Sequence, residues 1–290
     1  MPGYVKTPEE CDRIERMLTE MCFTCDELGI EFVTTWEFAR WVMPPCIEPV
    51  GDEARNTADA VVTITNYESA HCGTFDAAIV TLKARYEDVT DGYWMLTEIV
   101  SPELPVAIGR EMWGEVKKNG NGRFFRDGTH YYGYGERMGI KFVEVEAEIT
   151  GEDQGPSRVE AHGFDVKWFP HSSAVGLQYP PLLNIWDTVV DYTSYREGTG
   201  TLKWGHSKWD PTDTIPIVSV GTAYQASYEG LWPLGRQIEL EDPDNVYRQY
   251  MWGQHYDDPT FYVVGKRYQG RFELNPDPDA VPVAGKRREG

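Results

Sequence analysis

Runs of β-branched and aromatic residues, separated by Gly, Asp and Asn, occupy much of the middle of the chain. Examples are Ile79–Tyr86 (IVTLKARY), Tyr93–Val100 (YWMLTEIV) and Phe142–Ile149 (FVEVEAEI). Such runs predict strands, and the strict alternation of FVEVEAEI predicts one buried and one solvent-facing side. Further strands are predicted at 61–64, 159–168, 182–190, 201–204 and 215–220, and on weaker patterns at 224–232 and 261–268. The series predicts an α+β protein, mainly antiparallel β, whose sheet curls into a barrel or cone with peripheral helices.

Two short stretches near the start carry helix signals. Thr7-Pro8-Glu9-Glu10 has the pattern of a capping box, and apolar residues then recur at spacings of three and four as far as Leu28. We therefore predict an amphipathic helix that ends at Gly29. A second capping pattern at Thr34–Glu37 predicts a short helix over Trp36–Val42, which Pro44 and Pro45 end.

Charge and cysteine content restrict the class of protein. The 290 residues include 27 Lys and Arg against 47 Asp and Glu, a formal net charge of -20, which disfavours binding to nucleic acid or to anionic lipid. No long apolar segment predicts a membrane span, the first ten residues have no signal-peptide core, and the five cysteines are an odd number. These features predict a reduced, cytoplasmic protein.

No linker-like stretch interrupts the strand series, so one domain is expected. We assign residues 1–235 to this domain, and residues 236–290 to an extension packed on it. The Pro-rich and charged tail from about residue 275 is predicted to be flexible.

Several familiar motifs are absent or incomplete. Cys22 and Cys25 form a C-x-x-C, but no second pair completes a zinc set, so we assign Cys25 to an apolar stripe. The histidines show no metal-ligand spacing, and the G-x-G at Gly133–Gly135 lacks the third glycine and βαβ context of a dinucleotide site. The sequence therefore predicts neither a metal nor a cofactor.

The segment Gly109–Gly120, GREMWGEVKKNG, places Lys117 beside Lys118 in a strongly acidic chain. A lysine amine must be neutral to attack a carbonyl, and its ordinary pKa near ~10.4 leaves almost none neutral at pH 7. Burial and a neighbouring positive charge both lower that pKa. A lysine pair alone is more often a solvated loop, so the residues around it decide the interpretation.

Those residues resemble the acetoacetate decarboxylase-like superfamily. In that family an apolar P-x-x-x-G-R-E run, here from Pro105, leads at fixed spacing to a lysine pair. The resemblance covers roughly residues 30–235. It implies a β-cone with an enclosed apolar pocket, a homo-oligomer, Lys117 as the lysine that forms a Schiff base, and Lys118 as the residue that perturbs its charge. The chain departs from the motif at Val116, where the family usually has Pro.

Three other functional positions of the family have no clear counterpart. A strand Glu of the family corresponds to Ala77, with Asp76 adjacent and usable only if a bulge shifts the strand by one residue. A second Glu falls near Val62 or Thr63, and the Arg that binds substrate falls near Glu27. The loss of that Arg argues against a small β-keto acid as the substrate.

Four residues remain as possible acid, base or supporting groups. Glu98 lies in a predicted strand and is either a substitute carboxylate or a solvent-facing residue. His130 is either a general base near the lysines or a surface residue in a turn. Arg110 and Glu111 are expected to form an ion pair that supports the lysine loop.

The resemblance and the lysine chemistry together predict a Schiff-base-forming lyase that acts on a keto acid or a related carbonyl compound through Lys117. Two alternatives stay open: an aldolase-dehydratase or hydratase that uses the same imine, and a non-catalytic protein that binds a small molecule. The expected partners are a small-molecule carbonyl substrate and further copies of the chain, with no nucleic acid and no membrane.

Overall fold

The computed structural model describes residues 4–19 and 21–262. The helices are α1 (Pro8–Thr19), α2 (Trp36–Val42), α3 (Glu103–Ile108) and α4 (Tyr247–Tyr250), with 3-10 turns at Glu53–Arg55, Thr212–Thr214 and Pro259–Phe261 and π-helical turns at Gly109–Trp113 and Met251–His255. The strands are β1 (Cys22–Thr34), β2 (Glu48–Pro49), β3 (Gly51–Asp52), β4 (Thr57–Ser69), β5 (Gly73–Tyr86), β6 (Val89–Ser101), β7 (Lys117–Asn119), β8 (Asn121–Asp127), β9 (His130–Arg137), β10 (Ile140–Ile149), β11 (Ser157–Lys167), β12 (Leu182–Trp204), β13 (Ser219–Leu231) and β14 (Leu234–Glu239).

Seven strands close into a ring, in the order β11-β6-β5-β4-β1-β13-β12, because β11 pairs with both β6 and β12. The far half of the long strand β12 leaves this ring and pairs with β10, which continues through β9 to β8. Every pairing is antiparallel except those of β6 with β11 and with β7. The prediction of a mainly antiparallel α+β protein is confirmed.

The ring strands bury side chains on both faces. One face, which we call the outer face, carries Leu28, Ile30 and Ile64 and forms the larger apolar core with α2, β10 and α4. The other face points into the ring, and its smaller apolar cluster includes Phe75 and Ile79. Because successive strand residues point to opposite faces, neighbours in sequence on these strands lie in different environments.

Strand β10 shows the alternation that its sequence predicts. Val145, Ala147 and Ile149 are buried, whereas Glu146 and Glu148 between them are exposed. The apolar side joins the larger core. Burial of this side fixes the register, since a slip of one residue would turn the glutamates inward.

The first helix is shorter than the periodicity indicates. The Thr7 capping box is present, with the backbone N–H of Glu10 donating to Thr7 Oγ1 and that of Thr7 donating to Glu10 Oε2. The helix nevertheless ends at Thr19, and the stretch from Cys22 that we predicted as helical is strand β1. Pairing with β4 and β13 on its two sides determines its structure, because tertiary packing overrides local propensity.

Helix α2 is confirmed, with the Thr35 hydroxyl accepting from the backbone N–H of Phe38. The strand predicted at 215–220 is wrong for residues 215–218, because β13 begins only at Ser219, after the 3-10 turn Thr212–Thr214. Of the stretch predicted at 261–268, Phe261 ends another 3-10 turn and residues from 263 lie outside the described part.

The extension after residue 235 contributes to the main core. Tyr247 and Met251 belong to the larger apolar core, and the Gln254 side chain donates to the carbonyl of Val42. The domain limits themselves stay a prediction, and the tail from about 275 lies outside the described residues. In the part of the chain that the structure covers, no helix has the length and apolar character needed to cross a membrane.

Candidate active site

All seven ring strands line a cavity of about 240 Å³ inside the ring. Its wall is aromatic and acidic: five tyrosines, two tryptophans and four carboxyl groups line it. These residues are Tyr67, Tyr93, Tyr192, Tyr224, Tyr228, Trp186, Trp232, Glu27, Glu31, Glu115 and Asp165. Among the residues that the structure describes, no arginine lines this cavity.

The glycines of GREMWG determine how the lysine segment enters the ring. The backbone N–H groups of Gly114 and Glu115 both donate to the carbonyl of Gly109, at 2.9 and 3.1 Å. This turn folds the chain back so closely that a Cβ on Gly109 would lie 2.1 Å from Glu115 Oε2 and 2.5 Å from Lys117 Cδ. Gly114 adopts φ of 90°, a left-handed conformation that favours glycine. A larger residue at Gly109 would displace Lys117 and its partner Glu115.

Strand β7 sends the two lysines to opposite faces of the sheet. It lies parallel to β6, with Lys117 beside Glu98 and Lys118 beside Ile99. Ile99 belongs to the larger core on the outer face, whereas Glu98 points to the same side as the ring interior. Lys117 therefore points to the ring side, where it contacts Glu115 of the cavity lining, and Lys118 is on the outer face.

Lys117 is held by two carboxyl groups. Its Nζ lies 2.6 Å from Glu115 Oε2 and 3.5 Å from Glu98 Oε1, and only 3% of its side chain is exposed. The rings of Phe75 and Trp113 approach the same nitrogen, with centroids at 5.7 and 5.8 Å. Burial acts to lower the pKa of Lys117, but the attraction of Glu115 and Glu98 outweighs it and the net pKa is raised. The resting amine is thus an ammonium.

Two buried carboxyl groups beside Lys117 favour the protonated form. Burial, only partly opposed by the charge of Lys117, raises the pKa of Glu98 to about 8. Burial and the charges of Glu115 and Glu98 raise the pKa of Asp165 well above its usual value, although the indole N–H of Trp186 donates to its carboxyl group at 2.8 Å. Near neutral pH the Lys117 ammonium therefore lies beside two neutral acids, Glu98 and Asp165.

Lys118 belongs to a separate ion network on the outer face. Its Nζ lies 3.6 Å from Asp210 and 3.9 Å from Asp257, and Arg137 binds both of these carboxylates at 3.2 and 2.7 Å. Burial lowers the pKa of Lys118, with a further contribution from the charge of Arg137. The expectation that Lys118 lowers the pKa of Lys117 is not supported, because the two ammonium groups point to opposite faces.

Of the other predicted residues, Glu98 lies beside Lys117, whereas Asp76 and His130 have partners elsewhere. Glu98 joins the Lys117 cluster, as the carboxylate interpretation requires. Asp76 does not, because it accepts from the side chain of Asn66 and the β4–β5 register runs without a bulge past it, leaving Ala77 on the ring side. His130 is exposed at the start of β9, where its Nδ1 lies 3.8 Å from Glu148.

Arg110 and Glu111 do not form the expected ion pair. The Arg110 guanidinium lies over the ring of Tyr256, 4.9 Å from its centroid, and Glu111 is exposed. Within residues 4–19 and 21–262, neither side chain has an ion-pair partner, and no group of His, Cys, Asp and Glu is arranged to hold a metal ion.

Sequence reasoning missed Glu115, Asp165 and the role of Glu27. Glu115 precedes Lys117 by two residues, and in an extended segment this spacing places both on one face, so its position carried a usable signal. Glu27 was noted only for occupying the family Arg position, and the structure puts it in the cavity wall. Nothing in the local sequence of Asp165 links it to Lys117, because β11 reaches the site through the ring closure.

Comparisons with known proteins identify the family to which this chain belongs. The family model described as "Acetoacetate decarboxylase (ADC)" matches residues 4–239. The chain belongs to the acetoacetate decarboxylase family. A search of the curated proteins found no match.

Solved structures share the fold at low sequence identity. The enduracididine biosynthesis enzyme MppR, complexed with the condensation product of pyruvate and imidazole 4-carboxaldehyde, is 18% identical, with a TM-score of 0.65 over 77% of this chain and 91% of MppR. The acetoacetate decarboxylase of Legionella pneumophila is 15% identical, with a TM-score of 0.67 over 82% and 92%. An acetoacetate decarboxylase-like enzyme from Sphingomonas wittichii RW1 is 14% identical, with a TM-score of 0.65 over 77% and 94%.

Proposed function

We propose that this protein is an enzyme that forms a Schiff base between Lys117 and a keto acid or a related carbonyl compound. The observation that carries the proposal is the buried contact, at 2.6 Å, of Lys117 Nζ with Oε2 of Glu115, which lines the ring cavity. Family membership supports it, since Lys117 occupies the position of the lysine that the family motif assigns to the imine.

The ammonium of Lys117 must lose a proton before it can react. Glu115 is the nearest acceptor, and transfer between the two converts the resting ion pair into two neutral groups, a change that we expect substrate entry to promote because it excludes water from the cavity. The amine then attacks the carbonyl carbon and forms a carbinolamine. Glu98, neutral at pH 7 because its pKa is about 8, donates the proton with which the hydroxyl group leaves as water.

The resulting iminium is an electron sink that serves several reactions. We favour aldol condensation and dehydration over decarboxylation. Decarboxylation of a small β-keto acid in this family uses an arginine that binds the substrate carboxylate. In the described residues the cavity lining contains none. MppR has been solved in complex with pyruvate and with the condensation product of pyruvate and imidazole 4-carboxaldehyde, which supports condensation chemistry on this fold.

Decarboxylation is the second candidate, and the apolar wall near Lys117 favours it. Phe75, Ala77, Ile79 and Val100 form a buried surface on the ring side of β5 and β6. A carboxylate placed against such a surface is poorly solvated, whereas carbon dioxide is neutral, so loss of carbon dioxide would relieve the unfavourable contact.

Borohydride reduction in the presence of pyruvate tests the proposal, with intact-mass measurement as the readout. We expect an increase corresponding to one reduced imine in the natural protein and none in Lys117→Met. Absence of an adduct with pyruvate, acetoacetate and simple aldehydes would contradict the proposal and favour a non-catalytic binding protein. Product analysis separates the two reactions: carbon dioxide release from acetoacetate indicates decarboxylation, and consumption of an added aldehyde with pyruvate indicates condensation.

A further inference from the structure

Glu27 is a buried carboxyl group at a position in the cavity that the mechanism above does not use. It lies on β1, and only 7% of the residue is exposed. The hydroxyl groups of Tyr224 and Tyr228 donate to its two oxygens, each at 2.8 Å. In the part of the chain that the structure describes, no Lys, Arg or His nitrogen lies within ion-pair distance of Glu27. The two hydroxyl groups satisfy the oxygens of Glu27 but carry no charge, so a cationic group that entered the cavity would find an acidic group without a cationic partner there.

The surroundings of Glu27 suit a cation. Tyr192, Tyr224 and Tyr228 line the cavity beside it, and the rings of Tyr192 and Tyr228 pack edge to face, with centroids 5.4 Å apart. Aromatic faces around a carboxyl group attract ammonium and guanidinium groups through the ring quadrupole. Glu31 adds a second carboxylate on the same strand and also lines the cavity.

Within the described chain, the basic residues of the lining form no ion pair with Glu27 or Glu31. Lys83 and His162 are the basic lining residues within the described chain, and His162 Nδ1 lies 3.2 Å from Asp187. Lys117 is on another side of the ring, next to β6, which β5 and β4 separate from β1. The cavity therefore has an amine side at Lys117 and an acidic, aromatic side at Glu27.

We infer that the substrate is a carbonyl compound with a cationic group, such as a guanidinium or an ammonium, which binds Glu27 while the carbonyl reaches Lys117. The inference rests on the proposed function, because it places the reacting carbonyl at Lys117. It is also consistent with an acidic residue near the position where the resemblance places the family's arginine, since the site would then recognise the opposite charge.

Binding of a cation would be coupled to ionisation of Glu27. Burial raises its pKa, and the two tyrosine hydrogen bonds only partly oppose the change. An arriving cation would favour the ionised carboxylate, and charge-assisted hydrogen bonds are stronger than neutral ones.

A matched pair of probes tests the inference on the natural protein. The probes are two keto acids of equal chain length, one ending in a guanidinium and the other in the isosteric, neutral ureido group. Borohydride trapping is measured as a function of probe concentration. We expect the guanidinium probe to reach half-saturation at a concentration about tenfold lower or more, since a charged hydrogen bond exceeds a neutral one by roughly that factor. Equal half-saturation for the two probes would overturn the inference.

The variant Glu27→Gln should reduce the ratio between the probes to within about twofold, because the amide cannot supply the charge. The control Glu146→Gln changes an exposed glutamate on β10 and should keep the full ratio. A ratio that survives in Glu27→Gln would overturn the role of Glu27. Trapping with pyruvate but no preference between the probes contradicts the inference alone, whereas no trapping with any carbonyl compound contradicts the proposed function itself.

Discussion

Lys117 and Lys118 are adjacent, identical in chemistry and both buried, yet the structure gives them opposite surroundings. Lys117 points to the ring side, with Glu115, Glu98 and neighbouring aromatic rings, whereas Lys118 is in a network with Asp210, Asp257 and Arg137 on the outer face. Their pKa values shift in opposite directions, upward for Lys117 and downward for Lys118. Because successive residues of strand β7 point to opposite faces, Lys117, the candidate nucleophile, is separated from the ion network that contains Lys118.

The raised pKa of Lys117 restricts the ways in which its amine can be activated. A low resting pKa at Lys117 would make it reactive directly, but its carboxylate partners raise the pKa instead. Activation must then come from proton transfer to Glu115, promoted when a substrate enters and displaces water from the cavity. The lysine with the lowered pKa, Lys118, contacts two aspartates and lies outside the ring.

Substitution of Lys117 and of Lys118, each alone, should give the largest difference in adduct formation. Lys117→Met removes the amine that forms the imine, so borohydride adducts should fall below detection. Lys118→Met should retain adduct formation within a few fold, because Lys118 points away from the cavity. Intact-mass measurement after trapping with pyruvate checks both variants. If Lys118→Met keeps the unfolding temperature of the natural protein but forms no adduct, the assignment of the two lysines to opposite faces is contradicted.

Asp210→Asn should affect stability on the Lys118 side. It leaves two buried cations, Lys118 and Arg137, with one carboxylate fewer, and breaking a buried ion pair costs about 3–5 kcal/mol. Urea unfolding measures the change. The matched control Asp191→Asn removes an exposed partner of Arg158 and should cost about 1 kcal/mol or less. Equal losses in the two variants would show that the outer-face network is not a buried ion cluster.

Glu115→Gln should change the pH dependence on the Lys117 side. The carboxylate raises the pKa of Lys117, so its removal should lower that pKa. The pH at which trapping reaches half its maximal rate should fall by the same amount. Glu111→Gln, which changes an exposed glutamate of the same segment, serves as the control and should leave the midpoint in place. An upward shift in Glu115→Gln would contradict the assigned electrostatics.

Glu98 should affect stability as a function of pH. Its pKa is about 8 in the folded protein against an ordinary 4.5, so between these values the folded state holds a proton that the unfolded state has lost. Stability is therefore fully present below pH 4.5 and declines as pH rises toward 8, by at most about 1.4 kcal/mol per pH unit. Urea unfolding across this range should show a shallower decline in Glu98→Gln. Identical slopes in the two proteins would contradict the raised pKa.

Much of the fold follows from local pattern, whereas the composition of the site depends on closure of the ring. Alternation in Phe142–Ile149 and the capping residues of Trp36–Val42 determine those elements locally, and both predictions hold. Cys22–Leu28 satisfies helical spacing yet pairs as a strand on both sides, because sheet partners distant in sequence decide its structure.

The site shows the same contrast between local and long-range information. The lysine motif pointed to Lys117, and the i, i+2 spacing of Glu115 would have identified its partner. Asp165 and Glu27 reach the cavity on β11 and β1, and no local signal connects either strand to Lys117. The orientation of Lys118 could not be predicted without the knowledge that Lys117–Asn119 is a strand beside β6.

Peptide mapping of the borohydride-reduced protein after reaction with pyruvate tests the central claim most directly. Digestion and tandem mass spectrometry locate the added mass on one residue of the segment Gly109–Gly120. The account predicts modification of Lys117 alone, with Lys118 unmodified in the same peptide. Modification of Lys118, or of a lysine outside this segment, would contradict the account.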